Sequence, residues 1–205
     1  TILNIMNHTL PIMETFYSIQ GEGYYQGHAA FFIRLAGCDV GCVWCDVKES
    51  WDANQHAHRS ISDLVNEVKS TKAKIVIITG GEPLMYDCSL ITSALRDAGF
   101  QVHLETSGAY PLSGEWDWIC VSPKKFKAPL DEVLNRASEL KVVVFNKTDF
   151  DWAITNAKKV SDTCLLYLQP EWSKEKEMLV LMTEFIQMNP NWNLSLQIHK
   201  YLNVR

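Results

Sequence analysis

Short apolar runs that alternate with segments of helical period are the feature of this sequence that most limits how it can fold. Seven such runs are rich in Val, Ile, Leu and Phe, which is typical of strands buried on both faces of a sheet. Strands that alternate with helices form parallel sheets joined by right-handed crossovers. The predicted strands cover residues 31–35, 75–78, 102–105, 119–121, 142–145, 165–168 and 194–198.

Four of the connecting segments predict helices. Ser60 opens a capping box at the first helix, and Gly99 stops the second. A third helix is predicted over 149–160 and a fourth over 174–188. The α/β pattern predicts an incomplete (partial) parallel β/α barrel or a strongly curved open sheet, because a full eightfold barrel needs about 250 residues and this chain has 205. Since no repeat or linker interrupts the pattern, we expect one domain over residues 1–205.

Chemically unusual residues follow directly after the predicted strands. In parallel α/β folds, ligands bind at the carboxyl ends of the strands, where the following loops meet. The sequence therefore predicts a single site on that face of the sheet. The loops concerned are residues 38–45, 79–83, 105–108, 122–125, 169–170 and 199–200.

Three cysteines lie within eight residues, in the spacing C-x3-C-x2-C formed by Cys38, Cys42 and Cys45. Three thiolates from one short loop are able to hold three irons of a cubane cluster and leave the fourth iron open to a small molecule. Gly37 and Gly41 allow the loop backbone to wrap closely around such a cluster. The spacing therefore favours an iron–sulfur site with one vacant corner.

Two other interpretations of these cysteines stay open at this stage. A structural zinc site normally needs a second, distant pair of ligands, although a histidine such as His28 or His56 could complete a tetrahedron. Alternatively, the three thiols bind no metal. The scattered Cys88, Cys120 and Cys164 lie in apolar settings and are predicted to be small core residues.

Further polar residues lie in or beside the strands. The two glycines before Glu82 would let a ligand approach the backbone, and Glu82 could accept a bond from an ammonium group, although most Gly-Gly turns are only structural. Arg34 lies inside an apolar strand and needs an anionic partner, which is either a protein carboxylate or a substrate carboxylate. His103, in the middle of a predicted strand, is expected to be a hydrogen-bonded core histidine.

The charge balance argues against some classes of partner. A net charge of −5 without a basic run disfavours broad binding to nucleic acid and favours a small substrate. No apolar run has the length of a membrane span, and the first residues lack the pattern of a secretory signal. We therefore expect a cytoplasmic protein without membrane or nucleic-acid partners.

The cysteine loop, with an aromatic residue before its last cysteine, and the later Gly-Gly-Glu-Pro strand end together form the signature of the radical S-adenosylmethionine superfamily. The stretch ETFYSIQGEGYYQGHAAFFIRLAGCDVGCVWCDVKESW closely resembles the opening of the 7-carboxy-7-deazaguanine synthase family. The resemblance to this family continues in the segments VIITGGEPL, LETSG, VSPK, LQP and LQIHKYLNV. It therefore spans nearly the whole chain. It implies a trimmed partial barrel of the radical S-adenosylmethionine type.

This resemblance also implies a reaction. Members of the family are lyases that convert 6-carboxy-5,6,7,8-tetrahydropterin into 7-carboxy-7-deazaguanine with loss of ammonia, in queuosine and deazapurine biosynthesis. They use a [4Fe–4S] cluster, S-adenosylmethionine and an electron from a flavodoxin or ferredoxin, and they are commonly homodimers. The alternatives are a glycyl-radical-enzyme activase of the same superfamily, which would need a docking surface, and a zinc-binding interaction module without enzymatic activity.

The resemblance assigns roles residue by residue. The cluster ligands would be Cys38, Cys42 and Cys45, and Trp44 would stack on the cofactor or shield the cluster from water. The remaining predicted contacts to S-adenosylmethionine are Gly81, Glu82, Thr106, Ser122, Pro123, Lys124 and Gln169. The predicted substrate contacts are Ile19, Gln20, Gly21, Arg34 and Thr79, with Glu22 as an addition.

Two positions depart from the family pattern. Val47 replaces a threonine that often ligates Mg²⁺, so the ion is either absent or held by substrate, water and other groups. Arg205 stands at the end of the sequence, where some members have a proline whose carboxylate reaches the substrate. That contact is therefore not carried over.

Overall fold

The computed structural model describes residues 8–205, and nine strands in it form one sheet in the order β3-β1-β2-β4-β5-β6-β7-β8-β9. Residues 1–7, which the predicted domain range includes, lie outside this description. The strands are β1 (Thr9–Ile19), β2 (Ala29–Leu35), β3 (His58–Ser60), β4 (Ile75–Gly80), β5 (Gln101–Thr106), β6 (Trp118–Val121), β7 (Glu139–Val144), β8 (Leu165–Pro170) and β9 (Trp192–Leu194).

The pairing of the strands confirms the predicted parallel α/β sheet. β2 and β4 to β9 run parallel to their neighbours, whereas β1 pairs antiparallel with β2 and with β3. The sheet curls, so that the turn after β1 meets the chain just beyond β9. The Ile198 amide donates to the Gly21 carbonyl at 3.0 Å, and the Gly23 amide donates to Ser195 Oγ at 2.9 Å. This turn, residues 20–24, closes the floor of the partial barrel.

Helices cover the outer side of the sheet. The Ser60 hydroxyl caps the first helix by accepting a bond from the Asp63 amide at 3.1 Å, and Gly99, with φ of +89°, follows the second, as predicted. None of the helices within residues 8–205 is long and apolar enough to cross a membrane. The helices are α1 (Ile61–Lys69), α2 (Ser89–Asp97), α3 (Asp131–Leu134), α4 (Thr148–Ala157), α5 (Glu175–Met188) and α6 (Ile198–Leu202).

Two predicted strands differ from the structure by three or more residues at one end, and the others by at most two. The last strand ends at Leu194, and the chain then leaves the sheet, because Ser195 and Gln197 turn inward to bond with Gln169 and Glu22. β7 begins at Glu139, three residues before the predicted start. Glu139 and Lys141 interrupt the apolar pattern at the start of this strand, so the pattern alone does not predict it. β1 and β3 were not predicted, since β1 mixes polar residues with a proline and β3 has three residues.

The core confirms the prediction for the scattered cysteines and corrects the one for His103. Cys88, Cys120 and Cys164 are buried free thiols. His103 is 3% exposed, but its Nε2 atom has no hydrogen-bond partner, the only buried side-chain nitrogen or oxygen in this condition among residues 8–205. It packs against the Tyr25 ring, with 4.5 Å between ring centroids. Burial lowers the pKa of His103 to about 4.

This low pKa predicts a pH dependence of stability. The unfolded chain binds a proton at His103 below its ordinary pKa of about 6.5, whereas the folded chain does not until about pH 4, so stability falls as pH drops through this window. Between pH 7 and pH 5 we expect the free energy of unfolding to fall by about 1–2 kcal/mol through this group. Urea unfolding of the wild type and the His103→Gln variant at both pH values measures it, and equal losses in the two proteins would contradict the assignment.

Candidate active site

The loops after the parallel strands converge on a cavity of about 500 Å³ at the carboxyl ends of the sheet, as the sequence predicted. A volume of this size suits one or two small organic molecules. Gln20, Glu82 and Pro123 are predicted site residues that do not line the cavity. The predicted residues that line it are Ile19, Gly21, Glu22, Arg34, Cys38, Cys42, Trp44, Cys45, Thr79, Gly81, Thr106, Ser122, Lys124 and Gln169.

The cysteine loop leaves β2 and is held by backbone bonds to the segment that follows it. The Gly37 amide donates to the Ser50 carbonyl at 2.6 Å, and the Cys38 amide to the Trp51 carbonyl at 3.1 Å. Gly37 and Gly41 have φ of +101° and +75°, a region that strongly favours glycine. The loop is therefore wrapped, as predicted, with its three thiols on the wall of one cavity.

The three cysteines of the loop share one wall of the cavity. Cys38, Cys42 and Cys45 are free thiols, and all three line it. A cubane would take one of these thiolates at each of three irons, whereas a structural zinc ion would need a fourth ligand besides them.

Burial favours the protonated form of two of these thiols, Cys38 and Cys42. It raises the pKa of Cys38 to about 11, and it raises the pKa of Cys42 above its ordinary value. In the protein alone these thiols hold their protons at neutral pH. A metal centre that binds there displaces the protons, because thiolates are the ligands.

Gly81 joins the two sequence motifs through the backbone. The Gly81 amide donates to the Leu35 carbonyl at 2.9 Å, and the Glu82 amide donates to the Gly37 carbonyl at 2.9 Å. A Cβ atom at position 81 would overlap the Gly37 carbonyl. The glycine therefore permits close contact between two protein loops, a reason that the sequence analysis, which considered only a ligand, did not foresee.

Glu82 lies beneath the cavity wall, with its carboxylate surrounded by donors. It is 1% exposed and accepts bonds from the Leu84 amide at 3.1 Å, Thr106 Oγ1 at 2.5 Å, the Ser107 amide at 2.8 Å and Ser107 Oγ at 2.5 Å. The three bonds from Thr106 and Ser107 tie the end of β4 to the end of β5. The predicted contact of Glu82 with the cofactor amino group stays a prediction.

Lys124 connects the loop after β6 to the cysteine loop. Its Nζ donates to Ser122 Oγ at 2.6 Å and lies 5.4 Å from the centroid of the Trp44 ring, within the range of a cation–π interaction. Burial lowers the pKa of Lys124. Pro123 does not line the cavity, and its carbonyl accepts a bond from Trp152 Nε1 at 3.3 Å. Gln169, on the opposite side, is fixed by Ser195 Oγ at 2.8 Å.

A buried ion-pair network under the cavity was missed by the sequence analysis. Lys141 has a side chain only 3% exposed, and its ammonium lies between the carboxylates of Glu22 and Glu105, at 3.2 Å from the latter. Gln20 Nε2 donates to Glu105 at 2.7 Å, and Gln197 Nε2 donates to Glu22 at 2.8 Å. A lysine inside an apolar strand was a usable signal, of the same kind that singled out Arg34.

The charges of this network stabilise one another. Burial alone would raise the pKa of Glu22, but the bonds and charge of Lys141, with Gln197, outweigh it and lower that pKa to about 2. Burial alone would likewise lower the pKa of Lys141, yet the surrounding anionic groups raise it well above its ordinary value. Glu22 and Lys141 are therefore a charged pair at neutral pH.

Arg34 has a protein carboxylate as its partner and also lines the cavity, and its predicted contact with a substrate carboxylate stays a prediction. Its Nε donates to Glu14 Oε1 at 2.9 Å, so a protein carboxylate is present, and the same side chain lines the cavity. Thr79 is its direct neighbour across the β2–β4 pairing. Glu14 also accepts a bond from Arg205 Nη1 at 3.0 Å, and Arg205 lines the cavity.

The last helix contributes residues that received no role from the sequence. His199, on α6, packs so closely on the turn after β1 that a Cβ atom at Gly21 would overlap its imidazole. Gln197, His199 and Lys200 all line the cavity. Lys200 donates to the Asp46 carboxylate at 3.3 Å, next to Val47, which also lines the cavity. The segment therefore forms part of the cavity wall, in contact with the turn after β1 and with Asp46.

Comparisons with known proteins identify the family of this chain. Residues 32–146 match the Radical SAM superfamily. A 7-carboxy-7-deazaguanine synthase of Flavobacterium psychrophilum is 52% identical over 95% of this chain and 92% of its own. The enzyme of that name from Synechocystis is 48% identical over 100% and 98%, and the one from Escherichia coli K12 is 33% identical over 95% and 98%. A crystal structure of QueE from Escherichia coli matches with a TM-score of 0.86 and 32% identity, covering 95% of this chain and 97% of that chain.

Proposed function

Since this chain belongs to the 7-carboxy-7-deazaguanine synthase family of radical S-adenosylmethionine enzymes, we propose that it converts 6-carboxy-5,6,7,8-tetrahydropterin into 7-carboxy-7-deazaguanine with release of ammonia. Membership implies a [4Fe–4S] cluster and S-adenosylmethionine as cofactors. The observation that carries the proposal is the wall of Cys38, Cys42 and Cys45 on the same cavity as Arg34.

The cysteine side of the cavity is the proposed cofactor side. When bound, the cluster and S-adenosylmethionine supply the radical that takes a hydrogen atom from the substrate. Cys38, Cys42 and Cys45 would hold the cluster, and Trp44 offers a flat face beside it. Gly81 lines the cavity where β4 ends. The other residues proposed to hold or frame S-adenosylmethionine are Glu82, Thr106, Ser122, Pro123, Lys124 and Gln169.

The opposite side suits a carboxylated heterocycle. Arg34 uses its Nε for Glu14, and the planar fork of its remaining N–H groups matches a substrate carboxylate. Thr79 adds a hydroxyl beside it. Ile19 and Gly21 present backbone and a small apolar surface to the cavity. Gln20 acts from beneath by holding Glu105, so we propose a positioning role for its side chain.

Glu22 and Lys141 would orient the substrate, and neither of them would exchange a proton with it. Their charges are locked by mutual pairing, so they present a fixed dipole on the cavity floor. Glu105 shares Lys141 and is more exposed, at 24% of its side chain, so its carboxylate is the one available to a ring N–H. The low-dielectric surroundings strengthen such a bond.

The finer partner assignments are part of the same proposal. A flavodoxin or ferredoxin would supply the electron, and a homodimer is the proposed assembly. A cytoplasmic location suits six cysteines that form no disulfide. Mg²⁺, if used, would take its oxygens from substrate, water and other groups, because Val47 offers only an apolar side chain.

The decisive experiment is turnover by the reconstituted enzyme. The protein is purified anaerobically, supplied with iron and sulfide, and incubated with the carboxytetrahydropterin, S-adenosylmethionine and a reductant. We expect 7-carboxy-7-deazaguanine by mass spectrometry, with ammonia and product formed in equal amounts. Glycyl-radical activase activity predicts a radical on a partner protein and no deazaguanine, and a zinc module predicts a colourless protein that binds zinc and no iron. An intact cluster without deazaguanine formation would overturn the proposal.

A further inference from the structure

A second, much smaller cavity lies inside the barrel, below the ion-pair network. Its volume is about 10 Å³, and it is enclosed by side chains of β4, β5, β6 and β7 and by residues 20, 22 and 25 of the loop after β1. His103, Glu105, Glu139 and Tyr25 are the polar or titratable groups that matter for its contents. None of the roles assigned above uses it.

The orphaned nitrogen of His103 points to an occupant. His103 is only 3% exposed, and it lines the cavity. Its Nε2 atom bonds to no protein atom among residues 8–205. A buried polar atom without a partner is destabilising, and such atoms in native proteins are normally satisfied by protein or by ordered water. Two carboxylates in the other walls of the cavity also have oxygen atoms that can accept further hydrogen bonds.

Glu139 and Glu105 provide that capacity. Glu139 is 2% exposed, and its Oε2 accepts bonds from the Tyr24 amide at 3.1 Å and from Trp118 Nε1 at 3.2 Å. Its Oε1 receives only the weak Cys120 thiol, at 3.6 Å. Each oxygen of Glu105 accepts one bond, from Gln20 and from Lys141. Because a carboxylate oxygen accepts two bonds, both side chains have room for another donor.

The size of the cavity selects the occupant. About 10–15 Å³ of accessible space holds one water molecule, and a buried water typically needs two to four polar partners. An apolar cavity of this size would stay empty, but this one has an imidazole nitrogen and two carboxylates in its wall. We propose that one structural water molecule binds here, between His103 Nε2 and the carboxylates of Glu105 and Glu139.

The site reaches the substrate side of the molecule. Glu22 and Glu105 line both this cavity and the large one, so the two spaces are separated by their side chains. A water held on the inner side of Glu105 restricts that carboxylate from behind, while its other face is directed to the large cavity. The water is therefore a support of the cavity floor, and the inference does not depend on which reaction the enzyme performs.

Two substitutions distinguish a wet cavity from a dry one. His103→Phe keeps an aromatic ring beside Tyr25 and removes the nitrogen, and His103→Gln keeps a polar group. With water bound, we expect the melting temperature to fall by about 2–4 °C in the Phe variant, because the water or a carboxylate loses its partner, and to fall less in the Gln variant. With a dry cavity, phenylalanine fills space and removes an orphaned atom, so an unchanged or higher melting temperature in the Phe variant would overturn the proposal.

A crystal structure of the full chain at high resolution tests the occupant directly. We expect one density peak within hydrogen-bond distance of His103 Nε2 in the wild type and no peak in the Phe variant. An ammonium ion has the same size and would bind the same acceptors. Melting in ammonium chloride and in sodium chloride at equal ionic strength separates the two, because only a bound ammonium raises the melting temperature in the first salt. Such a rise, or an empty wild-type cavity, would refute a water site.

Discussion

We expect that replacing Cys42 with alanine abolishes catalysis and most iron binding but leaves the fold intact, because it removes one of the three cluster ligands. A cubane held by three protein thiolates has no spare ligand that could replace a lost one. Without the cluster, the reaction returns to the uncatalysed rate. The loop keeps its backbone bonds to Ser50 and Trp51, which do not involve the Cys42 side chain. Iron and sulfide analysis, the visible absorption of the cluster and product formation measure the effect.

Cys164→Ala is the matched control for this experiment. It removes a thiol of the same chemistry that is also buried but lies at the start of β8, away from the cavity. We expect it to keep full iron content and activity, with a small loss of stability from the lost packing. A Cys42→Ala protein that retained four irons and turnover would show that these cysteines are not the ligands.

The second large effect is expected for Lys141→Met, and it is on stability. The variant keeps the length of the side chain but leaves the carboxylates of Glu22 and Glu105 without their shared cation inside the barrel. Removing one partner of a buried ion pair costs about 3–5 kcal/mol, because the remaining charge stays desolvated. The free energy of unfolding in urea at pH 7 measures the loss.

A double variant and a surface control sharpen this test. Adding Glu22→Gln to Lys141→Met removes one uncompensated charge and should recover part of the lost stability. Lys159→Met breaks an exposed pair with Asp131, whose side chains are 44% and 70% accessible, and should change stability by less than about 1 kcal/mol. A loss in Lys141→Met as small as in this control would mean that the network is solvated.

Local sequence patterns sufficed for the strands of the parallel sheet and for the loops that carry the site. Runs such as the one before Thr79 are apolar because both faces of β4 are covered, so composition reports burial directly. The cysteine and glycine motifs report their chemistry through spacing within a few residues. The roles of individual site residues came from the family resemblance and stay proposals.

Contacts between distant segments could not be predicted in this way. Glu82 accepts three bonds from Thr106 and Ser107, about 25 positions along the chain, and nothing in its own neighbourhood indicates those partners. His199 lies over Gly21 because the sheet curls, a property of all the strands together. β1 pairs with its neighbours on both sides although its sequence lacks a clear alternation, since tertiary pairing overrides weak local preference.

The floor of the large cavity joins two parts of the chain that are made at very different times. The turn 20–24 is synthesised early, but Ser195, Gln197 and α6, to which it bonds, follow roughly 170 residues later. A growing polypeptide on the ribosome thus has its cysteines and its glycine loops long before it has a closed chamber for them. The cavity proposed for the substrate is therefore complete only when nearly the whole chain has been synthesised.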